Sequence, residues 1–496
     1  MKKKMKPATR SLIITLCILV VLGGAAAALL LPDMLSGAGQ TEGTTSDSST
    51  SSSTGVEVIA QNATTVESVT VENENGTFHI LTKSSADSSS PTFYVEEMSD
   101  IDTSSSSLQS IARYAYMLTA TTDVGSIDEV NALSEYGLDK PAATMTTKFN
   151  DGTPDFTLYI GNESATTGNY YVMANDHVYI ASIDPAVFSS MYAFIDASLY
   201  TLTVTGDGSD VIDYVHLSGT NFEQPISMIY TRGSGNADYD ALFMPYVVTE
   251  PYLSGVNTAK IDDFTEAFSS LQASGTAGYD PDEEMLKATG LDDPYAICEF
   301  SVNGEAHKLI VGDVYDNDYR YLMVDDNPVV FVVAQSSISA FTDVTVLGMR
   351  DGFVWSPVIK KVSGMKITYN GQTWDYTVTR TVDETASSSS TSSSSSSEPT
   401  YTYTVKLNGQ DVDYDSYRTL YATTITPSVL STDQLKHGDT PTLTIEYSYF
   451  DGGSTKVDYY STTEGERRYA AYVADSFVGI SKETFITDII NGLPQN

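Results

Sequence analysis

Basic residues are scarce in this chain of 496 residues. Only 26 lysines and arginines stand against 65 acidic residues, and five of the 26 lie within the first ten positions. The rest of the chain therefore holds 21 basic and 65 acidic residues, a formal charge of −44. Binding to nucleic-acid phosphates needs clustered lysine and arginine, so a surface this acidic excludes a nucleic-acid partner. It also disfavours adhesion to anionic lipid.

Cysteine and histidine are nearly as scarce. The two cysteines, Cys17 and Cys298, leave a single thiol outside the N-terminal apolar run, which excludes an intrachain disulfide and a cysteine-based metal site there. No HExxH, Gly-x-Ser-x-Gly or glycine-rich phosphate motif is present. We therefore predict a protein that is not an enzyme, with no catalytic residue, no cofactor and no metal. The five histidines occur singly, at His79, His177, His216, His307 and His437.

An uncharged apolar run of 21 residues, 11–31, follows the basic N-terminus. As a helix it would cross a hydrocarbon core of roughly 30 Å, and the basic flank would keep residues 1–10 in the cytoplasm. A cleaved signal peptide is the alternative, because Ala25 to Ala28 offer small residues. Three leucines continue the run beyond them, which favours an uncleaved anchor. We predict a single-pass protein of the cell membrane, with the bulk of the chain extracytoplasmic.

Serine-rich stretches punctuate the chain. The segment 32–60 is rich in Ser, Thr and Gly, and it is typical of a disordered stalk between membrane and folded body. A second run, 385–398, separates Trp374–Arg380 from Thr400–Leu407. Both flanks alternate as paired strands do, so we predict a disordered loop at the tip of a β-hairpin.

One segment is written twice, and a third time in degenerate form. Tyr136-Gly-Leu-Asp-Lys-Pro recurs as Thr289-Gly-Leu-Asp-Asp-Pro, and a strand ending in Ile-Gly or Val-Gly follows each. The two motif prolines, Pro141 and Pro294, lie 153 positions apart, and a third copy begins near Pro441, 147 positions further on. A period this long indicates a duplicated domain. The predicted repeats are 61–205, 206–350 and 351–496.

Each repeat shows one predicted order of elements. A β pair comes first, then an amphipathic helix such as Leu108–Leu118, then the Gly-Leu-Asp-x-Pro turn, then four short strands. The predicted fold class is therefore α+β. It consists of three tandem repeats dominated by antiparallel strands, with one or two short helices each, behind an N-terminal transmembrane helix.

The Gly-Leu-Asp-x-Pro turn has a structural explanation. Short helices are predicted over 128–136 and 282–289, and each motif glycine follows a helix C-cap, where the left-handed conformation favours glycine. The leucine can contact the last helical turn, and the proline starts the next segment. A binding role for the two aspartates is the alternative. The residues of this structural motif are Gly137, Leu138, Asp139 and Pro141 in the first copy and Gly290, Leu291, Asp292 and Pro294 in the second.

This combination of an exported chain and a repeated Gly-Leu-Asp-x-Pro domain resembles the domain-of-unknown-function family 4340. The best match covers 66–188, and a looser one covers 212–341. The family has no established activity, so the resemblance supplies no catalytic residues. Similar members accompany ABC-type transporters of the gliding-motility type. The resemblance therefore implies an accessory role beside a membrane complex, by association alone.

Two further features leave alternatives open. Asp313, Asp316 and Asp318 could offer oxygen ligands to Ca²⁺, but their spacing is not that of an EF-hand, and a solvated loop is favoured. The 33 tyrosines could stack on glycans or peptides, but tyrosine is also a strong strand former. We expect a non-enzymatic extracytoplasmic interaction or scaffold protein with a protein partner in a membrane complex. A transporter auxiliary that binds a glycan, peptide or cation is the alternative, and a cell-envelope hydrolase is third.

Overall fold

The computed structural model describes residues 55–83, 91–199, 204–205, 209–231, 235–242, 244–382, 400–465 and 467–495. The predicted cytoplasmic tail, the anchor at 11–31, most of the stalk and the serine-rich loop at 385–398 lie outside these ranges. No helix within them is long and apolar enough to cross a membrane. Gly55–Asn496 forms one compact unit.

The first sheet has nine antiparallel strands in the order β1-β5-β9-β8-β7-β6-β2-β3-β4. One α-helix, α1 (Ser106–Arg113), lies between β4 and β5 in the chain, and the Ser105 side chain caps it by accepting from the Leu108 N–H. The strands are β1 (Val56–Ala60), β2 (Val66–Asn73), β3 (Gly76–Lys83), β4 (Thr92–Val95), β5 (Met117–Ser126), β6 (Ala143–Phe149), β7 (Phe156–Glu163), β8 (Tyr170–Ala174) and β9 (His177–Ala181).

The second sheet also has nine antiparallel strands, in the order β13-β12-β11-β10-β15-β16-β17-β18-β14. They are β10 (Ile212–Ser218), β11 (Ile226–Tyr230), β12 (Tyr246–Glu250), β13 (Ser254–Gly255), β14 (Gly275–Tyr279), β15 (Ala296–Val302), β16 (Glu305–Asp316), β17 (Tyr319–Val324) and β18 (Val329–Ala334). The helices of this part are α2 (Ala237–Leu242), α3 (Thr258–Ser270), α4 (Glu283–Ala288), α5 (Gln335–Thr342) and α6 (Val346–Met349).

The third sheet has eight antiparallel strands, in the order β22-β21-β20-β19-β23-β24-β25-β26. They are β19 (Val362–Tyr369), β20 (Gln372–Val382), β21 (Tyr401–Leu407), β22 (Gln410–Val412), β23 (Leu443–Tyr449), β24 (Ser454–Ser461), β25 (Arg468–Val473) and β26 (Ser476–Lys482). Two helices accompany them, α7 (Tyr414–Thr424) and α8 (Glu483–Asn491). Strands β20 and β21 pair as a hairpin on either side of the serine-rich run.

One strand order underlies all three sheets. In each, the first strand of a hairpin (β2, β10 or β19) also pairs with the strand that follows the turn region (β6, β15 or β23), and three further strands continue outward. The registers match as well: Val71 pairs with Met145, Leu217 with Cys298, and Ile367 with Ile445. The sheets span 56–181, 212–334 and 362–482. The repeat boundaries at 205/206 and 350/351 stay predictions.

The predicted α+β class is wrong: the structure is mostly antiparallel sheet, with three large sheets and short helices between their strands. The helix predicted over Leu108–Leu118 ends at Arg113, because β5 begins at Met117 and pairs with both β1 and β9. The helix predicted over 128–136 is a single 3₁₀ turn, Leu133–Glu135. Sheet pairing on both sides of β5 therefore overrides helical periodicity.

The structure also shortens the predicted stalk. The predicted stalk includes residues 56–60, but they form β1, whose alternating Val-Glu-Val sequence pairs with β5. The backbone hydrogen bonds of this pairing, together with burial of Val58, give the segment a place in the sheet. The end of the predicted stalk is thus part of the folded body.

Two hydrophobic clusters hold the body together. The first, here called the aliphatic core, runs from Val58 to Met349 through the first and second sheets and consists mainly of Val, Ile, Leu and Phe. The second, the tyrosine core, runs from Ala241 to Leu493 and joins the edge of the second sheet to the third. The second sheet contributes to both clusters, which explains why the three sheets belong to one compact unit.

Candidate functional site

The Gly-Leu-Asp-x-Pro turn closes a short helical segment in both full copies. Gly137 has a φ of 69° and Gly290 a φ of 67°, in the left-handed region where a side chain is strained. The next N–H, that of Leu138 or Leu291, donates back across the turn to Leu133 O or Leu286 O, at 2.9 Å in both copies. This six-residue closure is the Schellman arrangement of a helix C-terminus.

The other motif residues divide by burial. Leu138 and Leu291 are buried, which matches the hydrophobic contact that this cap normally makes. Asp139 and Asp292 are exposed. Pro141 and Pro294 are half-buried and stand just before β6 and β15. Each copy brings its own four residues together, and the two sets precede strands of different sheets.

A second glycine lies against each turn, and we name this arrangement the double-glycine contact. Its pairs are Gly137 with Gly161 and Gly290 with Gly312. A Cβ added at Gly161 would lie 2.3 Å from Tyr136 O, and one at Gly312 would lie 2.2 Å from Thr289 O. The turn carbonyl approaches so closely because it accepts the N–H of the following strand residue, Asn162 or Asp313, both at 2.8 Å. The glycine after Ile160 or Val311 recurs in both copies, and this was the available sequence signal for the contact.

The third copy has an aromatic cluster where the other two have the strand glycine. Its counterpart of Gly161 is Tyr460, since Leu443–Tyr459 and Ala143–Ile160 are matching pairs. The His437 ring lies 4.8 Å from the Tyr460 ring, centroid to centroid, and His437 Nε2 lies 2.9 Å from the Tyr472 hydroxyl. The turn carbonyl of this copy, that of Lys436, accepts the N–H of Thr463 at 2.7 Å, two strand positions beyond the residue that donates in the other two copies.

A pocket of about 710 Å³ opens beside the double-glycine contact of the first copy. Pro141, Ala142 and Gly161 contribute to its lining. Tyr170 and Phe188 form an aromatic wall, with their ring centroids 5.2 Å apart. The volume lies within the range that small ligands or single side chains of a partner use. Three exposed carboxylates also line the pocket, those of Glu72, Glu74 and Glu163.

The second copy fills the matching positions with its own side chains. The strand registers place Tyr295 where the first copy has Ala142, and Arg320 where it has Tyr170. The Arg320 guanidinium carbon lies 3.5 Å from the centroid of the Tyr295 ring. Its Nη1 donates to the Gly312 carbonyl at 2.9 Å. In the second copy, a guanidinium therefore lies against the counterparts of residues that line an open pocket in the first.

The acidic segment Asp313–Asp318 is an exposed hairpin end. Asp316 pairs with Tyr319 across the turn, and its carboxylate accepts the Asp318 N–H at 3.1 Å. The Asp313 carboxyl group lies against the Gly-Leu-Asp-x-Pro turn, since a Cβ on Gly290 would lie 2.5 Å from its carboxyl carbon. Across the described ranges, no three His, Cys, Asp or Glu side chains come together as a metal site. The expectation of a protein without cofactor or metal stays a prediction.

The sequence reasoning missed a polar cluster on the second sheet. His216 Nδ1 lies 2.7 Å from Ser227 Oγ and 3.3 Å from Glu250 Oε2, on three adjacent strands. A catalytic triad needs the histidine between serine and carboxylate, with one ring nitrogen for each. Here the serine hydroxyl donates directly to Glu250, and one nitrogen faces both oxygens. The cluster is a cross-strand hydrogen-bond network and not a triad. Register between β10, β11 and β12 was the signal that could have found it.

Many tyrosines are structural. Tyr417, Tyr447 and Tyr459 are among the largest fully buried side chains of the described residues. Burial raises the pKa of each of these hydroxyls, because the phenolate would lose its hydration. Cys298 is also fully buried, and burial raises the pKa of its thiol. These side chains fill the interior and are not placed for ligand contact.

Comparison with known proteins leaves the function to be argued from this geometry. No family model, no curated protein and no solved structure matches the chain. The resemblance to family 4340 therefore stays a prediction.

Proposed function

We propose that this protein is a non-enzymatic interaction or scaffold protein, anchored in the cell membrane and extracytoplasmic over most of its length. In this proposal it is accessory to a membrane complex of the ABC-transporter type. The resemblance to family 4340 and the basic, apolar N-terminus motivate the location. The pocket of the first repeat motivates the binding role.

The observation that carries the binding role is the difference between two copies of one module. A repeat that served only the fold would be expected to close the gap beside its double-glycine contact, as Tyr295 and Arg320 do in the second copy. In the first copy the gap is open, and it combines an aromatic wall with charged groups. Binding sites share this combination of apolar walls and a few polar groups.

Capture of the full chain from its own membranes tests this role. The wild type and the double variant Ala142→Tyr, Tyr170→Arg would be tagged, cross-linked in cells, solubilised in detergent and analysed by mass spectrometry. We expect the wild type to retain a membrane-complex subunit that the double variant loses, because the variant fills the pocket as the second copy does. If both proteins recovered the same subunit equally, the pocket would not be the site that binds this partner.

Protease accessibility tests the location. Protease added to intact protoplasts should digest the folded body and leave a short membrane-bound stub, because residues 11–31 are proposed to cross the membrane. A cytoplasmic control protein should stay intact in the same cells. Protection of the body under these conditions would contradict the proposed topology.

A transporter auxiliary for a small ligand is the second candidate. It is favoured by the pocket volume of about 710 Å³, which suits a small molecule as well as a side chain. A small ligand should raise the melting temperature of the wild type and not that of the pocket-filled double variant. Screening short glycans, peptides and amines in that pair of proteins would distinguish this role from scaffolding.

A further inference from the structure

The pocket of the first repeat has the chemistry of a site for a cationic, planar group. Glu72, Glu74 and Glu163 contribute carboxylates, and no lysine or arginine is among its lining residues. The Tyr170 and Phe188 rings form one wall, and aromatic faces attract cations through their quadrupoles. A carboxylate rim alone would attract any cation, so the identity of the group rests on a second observation.

That observation is the occupant of the matching position in the second repeat. There the Arg320 guanidinium stacks on Tyr295 at 3.5 Å and donates to the carbonyl of Gly312, the strand glycine of the double-glycine contact. Gly312 lies in an irregularity of the pairing between β16 and β17, between Val311 and Val314. Gly161 lies in the same kind of irregularity between β7 and β8, and it lines the open pocket.

The two copies therefore differ in the source of the cation. The second copy carries an arginine on its own strand. The first has an aromatic ring at that position, with two carboxylates, Glu72 and Glu163, where the second has Ser218 and Val314. One exchange runs the other way, since Asn162 lies where the second copy has Asp313. Of these three matched positions, the first copy has carboxylates at two and the second at one, and the larger number fits a site whose cation comes from another molecule. Arginine fits better than lysine because its planar group can stack and donate several hydrogen bonds at once.

We propose that the pocket beside Gly137 and Gly161 binds the guanidinium group of an arginine in a basic segment of a partner protein. This inference rests on the proposed interaction role and names the chemistry that the site recognises. The guanidinium would lie against Tyr170, donate to the Gly161 carbonyl, and pair with Glu163. The formal charge of −44 beyond the N-terminus would draw such a segment in from a distance, with an on-rate that falls as salt is added.

Titration with small probes tests the site without a partner. The full chain in mild detergent would carry ¹³C-labelled threonine methyl groups, and Thr144, which lines the pocket, would serve as reporter. The probes are acetyl-arginine methylamide, its lysine analogue, and its citrulline analogue, which has the same shape without charge. We expect a saturable shift of the Thr144 methyl signal with arginine, a weaker response with lysine, and none with citrulline.

Variants separate the pocket from diffuse attraction. The double variant Ala142→Tyr, Tyr170→Arg should abolish the arginine response. Glu163→Gln should weaken it by about two- to fivefold, as expected for one exposed ion pair. Glu67→Gln, which removes an exposed charge on β2 outside the pocket, should leave it unchanged. If the double variant misfolds, the two single variants still decide the question.

The outcomes distinguish this inference from the proposed function. Equal responses to arginine and citrulline, or equal weakening by Glu163→Gln and Glu67→Gln, would overturn the guanidinium site. Pocket-dependent capture of a partner with no arginine response would keep the scaffold role and refute the ligand chemistry. A specific arginine response without capture of any membrane partner would keep the site and refute the scaffold role.

Discussion

The same turn is built in two ways within this molecule. In the first two repeats, a turn carbonyl lies so close to a strand that the strand position must be glycine, and a second glycine takes the left-handed conformation in the turn. In the third, Tyr460 replaces the strand glycine and packs against the rings of His437 and Tyr472, and the Lys436 carbonyl instead accepts the Thr463 N–H at 2.7 Å. The strand order therefore does not depend on the double-glycine contact. It depends on the pairing of the strands, which all three sheets share.

The two cores differ in a parallel manner. The aliphatic core holds its sheets together through side chains that need no hydrogen bonds. The tyrosine core buries several hydroxyls, and most find partners: Tyr447 donates to Thr424 O at 3.3 Å, and Tyr449 to Thr455 Oγ1 at 2.8 Å. The third repeat therefore combines apolar burial with a polar network that is sensitive to ionisation.

Alkaline pH should produce the largest difference between the cores. Burial raises the pKa of Tyr417, Tyr421, Tyr447 and Tyr459, so the folded state keeps protons that an unfolded tyrosine loses near pH 10. Their contribution is complete below that pH and falls as pH rises above it. Each should lower the free energy of unfolding by about 1.4 kcal/mol per pH unit.

Two local probes follow this unfolding. Both tryptophans, Trp355 and Trp374, lie in the tyrosine core, so their fluorescence reports that core. In a Cys17→Ser background, reaction of Cys298 with a thiol reagent reports the aliphatic core. Urea titrations would be made at a series of pH values from 9 to 11. We expect the stability reported by tryptophan fluorescence to fall at a lower pH than the stability reported by Cys298 exposure. The reverse order would contradict the assignment of the tyrosines as the alkaline weak point.

The strand glycine should be the next most sensitive position. Gly312→Ala would place a methyl group 2.2 Å from Thr289 O, a backbone atom that cannot move without breaking the turn. We expect a loss of about 3 kcal/mol in the free energy of unfolding, measured by urea titration with Cys298 as probe. Gly275→Ala is the control, because no atom lies within 4 Å of its Cβ position. Similar stability of the two variants would show that the contact is not as tight as described.

The turn glycine should matter less, and in two copies only. In Gly290→Ala, strain at a φ of 67° adds to a contact of 2.5 Å with the Asp313 carboxyl carbon. We expect a loss of about 1–2 kcal/mol. The third copy has His437 at the matching position, followed by Gly438, and Gly438→Ala should change stability by less than about 0.5 kcal/mol, since the nearest atom lies 4.0 Å away. Thermal unfolding measures the loss of stability in both variants. Equal losses in Gly290→Ala and Gly438→Ala would contradict a special role for the turn glycine.

Replacement of one tyrosine in the third repeat should stabilise the protein. The Tyr417 hydroxyl is buried without a hydrogen-bond partner among the described residues. We expect Tyr417→Phe to stabilise the protein by about 1 kcal/mol, because a buried hydroxyl without a partner costs free energy. Tyr449→Phe should destabilise it, since Tyr449 donates to Thr455 and accepts from the Trp355 indole. Tryptophan-monitored urea unfolding compares them, and destabilisation by Tyr417→Phe would indicate a missed partner.

The motif aspartates should have the smallest effect. Asp139 is exposed and follows the capped turn, so Asp139→Asn should change the free energy of unfolding by no more than about 0.5 kcal/mol. The variant should also bind acetyl-arginine methylamide as the wild type does, because Asp139 does not line the pocket. A loss of binding with unchanged stability would favour the alternative reading of these aspartates as binding residues.

The sequence predicts the turns and caps correctly, but it does not predict how the strands pair. Alternation and Asn-Gly turns located many strands, and the recurring glycine located the caps at Gly137 and Gly290, because these are local backbone preferences. The same reasoning extended the helix over Leu108–Leu118 too far. Its last turn belongs to β5, and only the pairing of β5 with strands more than 50 residues away decides that.

The repeated segment, the acidic charge and the shortage of cysteine and histidine are properties of the sequence by itself. Composition and local spacing determine them without reference to a fold. The pocket is different, because Ala142, Gly161 and Tyr170 come together only when β6, β7 and β8 pair. Arg320 fills the equivalent place for the same reason, since register sets which side chains become neighbours. Which copy is open and which is closed therefore follows from strand pairing and not from local sequence.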